Sequence, residues 1–252
     1  MRYSKDVAQR AVARGASRKL WITLAAVGGL LGCASGAWSA PVYIGLQEAN
    51  VNGGLITQEA TGNGAASITN LNYGDSTDGF FQISVTATGT PPLPEPYLNS
   101  NSMTATASHP GIIAIYVTET NQFPVGFSDF YSLFGVSSIG AGVTVTENTY
   151  VHECATPNVA CNTTVGGDVF ATTTLLSTKT FNSTGSVTEF SGNGLPLVTT
   201  PYAITEVYTI DFTQTNTSTS ASIDMKVPEP VSIAIFGAAL LGLGVMRGRK
   251  AI

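Results

Sequence analysis

The stretch Phe81-Gln82-Ile83-Ser84-Val85-Thr86-Ala87-Thr88 alternates apolar and polar side chains. Successive side chains of a β-strand point to opposite faces, so this stretch predicts a strand with one buried and one solvated face. A second run, Ile112-Ile113-Ala114-Ile115-Tyr116-Val117, is apolar on both faces and is typical of a central strand. The surrounding chain is rich in Thr, Ser, Gly and Val and has no helical period. The fold class is therefore predicted to be all-β.

Further short strands are predicted along the chain, with turns rich in Gly and Asn between them. The strand candidates are 143–146, 169–176, 202–212 and 221–225, and the turns are 52–54, 62–64, 140–142, 166–167 and 192–194. About nine to twelve strands with this spacing predict a single β-sandwich, jelly-roll-like or of similar topology. The proline-rich segment 91–96 is interpreted as a loop within that one domain, because roughly 50 residues before it are few for an independent core.

Basic residues are concentrated at the two ends of the chain. Six of the 11 Lys and Arg lie in the first 19 residues and three in the last six. Residues 41–226 contain two lysines and 14 acidic residues, a net charge of −12. Nucleic-acid binding requires Lys and Arg to neutralise phosphates, so nucleic acid is predicted not to be a partner.

Residues 1–40 have the layout of a cleavable secretion signal: a basic stretch, the apolar run 20–31 and then small residues. A helix made of that run spans about 18 Å, compared with a hydrocarbon core of about 30 Å. Cleavage is therefore favoured over the alternative, an N-terminal membrane anchor. Leu30-Leu31-Gly32-Cys33 is similar to a lipoprotein signal box, which makes Cys33 a candidate for lipidation.

Residues 227–252 form a tail of three parts. Val227-Pro228-Glu229-Pro230 predicts an extended joint, because proline does not continue a strand or a helix interior. The apolar run 231–246 predicts a membrane helix of about 24 Å. Arg247, Arg249 and Lys250 favour the cytoplasmic side of the membrane, which places residues 41–226 outside it.

This tail resembles the PEP-CTERM sorting signal of Gram-negative bacteria that make exopolysaccharide. The resemblance implies that an exosortase, a membrane-bound cysteine-type transpeptidase, recognises the tail and removes it during surface sorting. An exosortase-like enzyme and, transiently, the inner membrane are thus the implied partners. The resemblance is confined to residues 227–252. Pro94-Glu95-Pro96 has the same tripeptide without an apolar run, and an unprocessed C-terminal anchor remains the alternative.

Cys154 and Cys161 are the thiols that remain once Cys33 has left with the signal or carries lipid. In an oxidising compartment they are predicted to form a disulfide that closes a loop of about eight residues. The alternative is a metal site that uses His152, Glu153 and both cysteines. Two cysteines and one histidine are an incomplete ligand set for structural zinc.

Catalytic motifs are not recognisable in the sequence. The two histidines, His109 and His152, lie in no Ser-His-Asp or zinc-ligand context, so the protein is predicted not to be an enzyme. The acidic residues are predicted to be solvated. Asp75 and Asp78 lie in a Gly-rich turn and are candidate Ca²⁺ ligands, although turns commonly contain Asp for backbone reasons. No other cofactor is predicted.

The combined features predict an exported structural protein of the cell surface or extracellular matrix, anchored through its C-terminal helix and then sorted. One alternative is a carbohydrate-binding module for exopolysaccharide, which requires exposed aromatic side chains on one sheet face. The candidates for that face are Tyr97, Phe123, Phe127, Phe130 and Tyr131. A further alternative is a secreted hydrolase, which requires two carboxylates about 5 to 9.5 Å apart.

Overall fold

Strands make up most of the chain in a computed structural model that describes residues 40–74, 80–90, 97–122, 130–154, 160–191 and 201–226. All of these residues belong to one compact unit. The strands are β1 (Pro41–Gln47), β2 (Thr57–Asn63), β3 (Ala65–Tyr73), β4 (Phe81–Thr88), β5 (Tyr97–Ala107), β6 (Gly111–Gln122), β7 (Phe130–Ile139), β8 (Val143–Glu153), β9 (Thr174–Phe181), β10 (Gly185–Ser191), β11 (Tyr202–Phe212) and β12 (Thr217–Lys226). A single 3-10 turn, Asn52–Gly54, follows β1.

The described residues contain no helix that is long and apolar enough to span a membrane. The predicted signal segment, apart from Ala40, and the predicted tail, residues 227–252, lie outside the described residues.

The twelve strands form two six-stranded antiparallel sheets. The first, sheet A, has the order β2-β1-β6-β11-β8-β9, and the second, sheet B, has the order β10-β7-β12-β5-β4-β3. From β5 onward the pairing is nested: β5 pairs with β12, β6 with β11, β7 with β10 and β8 with β9. The remaining strands extend both sheets, β1 and β2 next to β6, and β3 and β4 next to β5. The predicted all-β sandwich is confirmed.

The core lies between the sheets and consists of the alternate side chains that point inward from each strand. In β4, Phe81, Ile83, Val85 and Ala87 are buried, as the alternation predicts. The Phe81 ring packs against Phe212 of β11, with ring centroids 5.6 Å apart. Burial of each such large side chain contributes about 1.5–3 kcal/mol to stability, so the inward rows hold the two sheets together.

The outer face of sheet A is partly covered by the segment between β8 and β9. Val169 and Phe170 pack there against Tyr43 of β1 and Tyr116 of β6. Gly45 permits this contact, because a Cβ at that position would lie 2.7 Å from Cζ of Phe170. The predicted strand 169–176 is thus wrong at its start: β9 begins at Thr174, and the two preceding apolar residues pack onto the sheet rather than extending the strand.

Several acidic side chains are buried, which contradicts the prediction that they are solvated. Glu48, Glu119, Glu147, Glu206 and Asp168 are all at most 7% exposed. Three of them occupy inward positions on neighbouring strands of sheet A: Glu119 on β6, Glu206 on β11 and Glu147 on β8. The physical reason is register: each lies in phase with the apolar residues of its strand, so the pleat directs it into the core.

Some of the carboxyl oxygens of these buried acids accept hydrogen bonds. Ser100 Oγ of β5 donates to Oε2 of Glu206, and the Tyr208 hydroxyl donates to the Ser100 carbonyl at 2.8 Å. The Thr90 backbone N–H donates to Oε1 of Glu119 at 2.5 Å. Burial raises the pKa of Glu206 well above its ordinary value, and nearby Asp224 and Glu147 raise it further. Burial in such a place favours the neutral form of the Glu206 carboxyl group, because charge is costly in a low-dielectric interior.

Glu147 is the least satisfied of these groups. Neither of its carboxyl oxygens accepts a hydrogen bond of ordinary geometry from the part of the chain that the structure describes, although the nearby Gly135 backbone partly stabilises the charged form. Burial raises the pKa of Glu147 to about 9. Glu147 therefore carries a proton in the folded protein under neutral conditions.

The free energy of unfolding should fall as the pH rises from 4.5, the ordinary pKa of Glu147, to about 9, its pKa in the folded chain. In this window the folded chain holds a proton that the unfolded chain has released, so a higher pH favours unfolding. Urea unfolding across that pH range measures the slope. Glu147→Gln should reduce the slope, and Glu153→Gln, at the exposed end of the same strand, should leave it unchanged. An equal slope in the Glu147→Gln variant would show that the buried carboxyl is ionised.

Candidate functional site

An aromatic row crosses the outer face of sheet B. Four residues on neighbouring strands are in register: Phe190 of β10, Tyr131 of β7, Lys226 of β12 and Tyr97 of β5. Strand spacing of about 4.8 Å gives the row a length of about 14 Å. The Phe190 side chain is 62% exposed, and its ring centroid lies 4.1 Å from that of Tyr131. We call these four residues the aromatic row.

A second register row lies beside the aromatic row and is mainly polar. It consists of Thr188, Leu133, Asp224 and Asn99. The Asn99 side-chain amide donates to Oδ1 of Asp224. Burial raises the pKa of Tyr97 to about 12, and a hydrogen bond to Asp224 adds to the rise. The Tyr97 hydroxyl is therefore neutral and tied to the polar row, which orients its ring.

The aromatic row contains two of the five aromatic residues singled out in the sequence. Tyr97 and Tyr131 lie on it, whereas Phe130 points the other way and is only 3% exposed. Phe123 and Phe127 lie outside the described residues, as do the Ca²⁺ candidates Asp75 and Asp78. Sequence reasoning missed Phe190. A signal for it exists, because Phe190 shares one face of a short strand with the polar residues Ser186 and Thr188, which predicts an exposed aromatic side chain.

A second group of chemically active side chains lies at the opposite sheet, where β8 ends. We define the cysteine cluster as His152, Cys154, Cys161 and Asp168. Cys154 and Cys161 form a disulfide with a Cα–Cα distance of 5.1 Å, so the predicted pairing is confirmed. The segment that carries Cys161 and Asp168 is the one that covers sheet A, and the disulfide ties it to the end of β8.

His152 joins two residues of that covering segment. Its Nε2 lies 3.0 Å from Oδ1 of Asp168, and its Nδ1 lies 2.7 Å from Oγ1 of Thr173. Asp168 is held in turn by the Asn162 backbone N–H, which donates to Oδ2 at 2.5 Å. The sequence indicated no such context for His152, because Asp168 and Thr173 follow it by 16 and 21 residues and only the fold of the segment brings them back.

The other histidine lies elsewhere in the sandwich. His109 Nε2 is 3.5 Å from Oε1 of Glu48, and its ring packs on Phe81 with a centroid distance of 4.7 Å. His109 therefore packs against the edge of the core and is not part of the cysteine cluster.

The hydrolase alternative receives no support from the interior acids. Glu119, Glu147 and Glu206 are fully buried between the sheets, where a polysaccharide chain does not reach. They do not provide the accessible carboxylate pair that glycoside hydrolysis requires.

No protein-family model and no curated protein matches this sequence. Among solved structures, the chain is similar to the cleaved adhesin domain of Lys-gingipain from Porphyromonas gingivalis, with 10% identity over 65% of this chain and 98% of that one, at a TM-score of 0.30. A structure of infectious bursal disease virus matches with 8% identity over 78% of this chain and 58% of that one, at a TM-score of 0.18. At these TM-scores neither likeness carries an argument about function.

Removal of the disulfide by Cys154→Ser together with Cys161→Ser should lower the free energy of unfolding by about 2.5 kcal/mol, the chain-entropy value for a loop of about eight residues. The measurement is urea unfolding of the double variant and the oxidised parent. Ser137→Ala, on an exposed strand position of sheet B, serves as a control and should change stability little. An unchanged midpoint in the double variant would mean that the covering segment is held without the disulfide.

Proposed function

We propose that this chain is an exported structural protein of the cell surface or extracellular matrix. The observation that carries the proposal is the tripartite tail at residues 227–252, with its Pro-Glu-Pro joint, apolar run and basic end. Two further features support it. The Cys154–Cys161 disulfide suits an oxidising compartment, and residues 41–226 with a net charge of −12 suit a soluble extracellular body.

We also infer that β5–β12 form a jelly roll. The nested pairing of the first strand with the last, the second with the next to last, and so on, is the pairing that a long folded-over hairpin produces. Jelly rolls occur in viral capsid and lectin domains, and the fold alone does not assign a function.

The proposed route has two stages. The secretion signal at residues 1–40 directs export, and the apolar run of the tail then holds the body outside the inner membrane with its basic end toward the cytoplasm. An exosortase-like enzyme subsequently cuts near Pro228-Glu229-Pro230 and releases or transfers the sandwich to the surface. The implied partners are this enzyme and, transiently, the membrane.

Deletion of residues 227–252 should abolish membrane retention and send the body directly to the medium. Fractionation of expressing cells, with mass spectrometry of the mature ends, measures both location and processing. In the intact chain the C-terminal mass should show loss of the tail. Deletion of Pro94-Glu95-Pro96 is the matched control, because it removes the same tripeptide without the apolar run. If the full-length chain keeps Ile252 at the surface, the tail is a plain anchor.

A second candidate function is carbohydrate binding, and the aromatic row favours it. The exposed Phe190 ring and the half-buried Tyr131 ring offer flat apolar surface, while Asp224 and Asn99 in the neighbouring row offer hydrogen-bonding groups. Sites for small polar ligands combine these two features. Lys226, one of the two lysines of residues 41–226, lies within the row. The candidate ligand is the cell's own exopolysaccharide.

Tyr131→Ala and Phe190→Ala should each weaken binding to purified exopolysaccharide about tenfold or more, because each truncation removes one of the paired aromatic contacts of the row. Affinity electrophoresis in gels that contain the polysaccharide measures the retardation. Phe80→Ala is the matched control, since Phe80 is 41% exposed but lies outside the row. Carbohydrate binding would be ruled out if the three variants were equally retarded, or if the parent protein showed no retardation. Neither result would bear on the proposed structural role.

A further inference from the structure

The disulfide occupies the centre of a group of side chains whose chemistry suits a metal ion. We propose that, once the disulfide is reduced, the cysteine cluster binds Zn²⁺ through the thiolates of Cys154 and Cys161, the Asp168 carboxylate and the His152 imidazole. The same two cysteines thus form one of two alternative cross-links: a disulfide under oxidising conditions or a zinc site under reducing conditions. This inference does not depend on the tail or on the aromatic row.

The positions of the donor atoms support a tetrahedral site. The two sulfurs and a carboxylate oxygen of Asp168 all lie within 4.8 Å of one another. His152 Nε2 lies 3.0 Å from Oδ1 of Asp168. Zinc bonds of about 2.0–2.3 Å place tetrahedral ligands about 3.3–3.8 Å apart. The two sulfurs and the Asp168 oxygen lie near those distances, and binding requires separation of the two sulfurs and movement of the His152 ring toward them.

The fold supplies the ligand that the sequence pattern lacked. The segment next to the cysteines offers His152 and Glu153, but Glu153 is exposed at the end of β8. Asp168 reaches the cluster because the segment after Cys161 folds back on itself, where Asp168 N–H donates to the Asn162 carbonyl at 3.2 Å. Two cysteines, one histidine and one aspartate make four N, S and O ligands, which is the number that closed zinc sites use.

Neighbouring groups already hold three of the four ligands. The Asn121 backbone N–H donates to Sγ of Cys161 at 3.3 Å, a contact that stabilises a thiolate. Thr173 binds His152 Nδ1, and Asn162 N–H binds Asp168 Oδ2. The remaining atoms, His152 Nε2 and Asp168 Oδ1, contact each other at 3.0 Å and exchange that contact for the metal on binding. Such outer hydrogen bonds orient the ligands of metal sites. Both cysteines and Asp168 are also buried, which keeps competing water away.

The exchange of cross-links balances chemically. A dithiol reductant transfers two electrons and two protons to the disulfide, which gives two thiols and leaves the reductant as its own disulfide. Zinc then displaces the two thiol protons to solvent, so binding strengthens as pH rises. In both states the segment that covers sheet A stays tied to the end of β8.

The test uses the full chain with Cys33→Ser, so that Cys154 and Cys161 are the only thiols. The reduced protein is titrated with Co²⁺ in the absence of oxygen. One equivalent should produce the intense visible bands of tetrahedral cobalt together with a thiolate charge-transfer band, and Zn²⁺ should abolish both. The oxidised protein should give neither.

Ligand variants separate the proposed site from chelation by two thiols alone. Asp168→Asn and His152→Ala should each lower the affinity for Co²⁺ and Zn²⁺ at least about tenfold. His109→Ala, which removes the only other histidine, should leave it unchanged. Equal affinity in all three variants would overturn the proposal.

Thermal unfolding followed by circular dichroism covers the case in which reduction destabilises the fold. Zinc should raise the midpoint of the reduced parent and should have little effect on reduced Asp168→Asn, because binding to the folded state stabilises it. A reduced chain that keeps its β spectrum but binds no cobalt would refute the site. An unfolded reduced chain that zinc does not refold would refute it as well.

Discussion

The pleat of the β-strand is the constraint on which the rest of this structure depends. Each strand of the two sheets sends alternate side chains inward, and the apolar surface between the sheets holds them together. A shift of one residue in any pairing would exchange the core row for the outer row. The nested pairing of β5–β12 gives every strand from β5 to β12 except β9 a partner that is not its neighbour in sequence, so the registers support one another.

The same constraint explains the acids in the core. Glu147 follows Val143 and Val145 at inward positions, and Glu206 lies between Ile204 and Tyr208 on β11. The register that buries these apolar neighbours also buries the carboxyl groups. Their raised pKa values are the consequence, because a neutral carboxyl is less costly than a charged one in a low-dielectric interior.

The outer faces of the two sheets differ in how far other parts of the chain cover them. Sheet A is partly covered by the segment between β8 and β9. Phe170 of that segment packs against the sheet, and the disulfide links the segment to the end of β8. Sheet B presents the aromatic row and its polar neighbour on β10, β7, β12 and β5. The cysteine cluster lies at the covered face of sheet A, whereas the candidate binding surface lies on the outer face of sheet B. One sandwich thus separates a cross-linked side from a candidate binding side.

The sequence by itself determined the fold class, several strands and the disulfide. Alternation in β4, the apolar run of β6 and the complete span of β11 are local patterns, and the two cysteines are close enough in the chain for their pairing to follow from compartment alone. The tail and the signal segment are also local patterns and stay predictions. Only the tertiary structure decided the strand order, the burial of Glu147 and Glu206, the approach of Asp168 to His152 and the alignment of Phe190 with Tyr131. Strand order and the alignment of Phe190 with Tyr131 depend on pairing between strands that are distant in sequence, and the two-residue period of one strand contains no information about its partner. Asp168 reaches His152 because the covering segment folds back, and the two glutamates are buried because the second sheet covers their face of the strand.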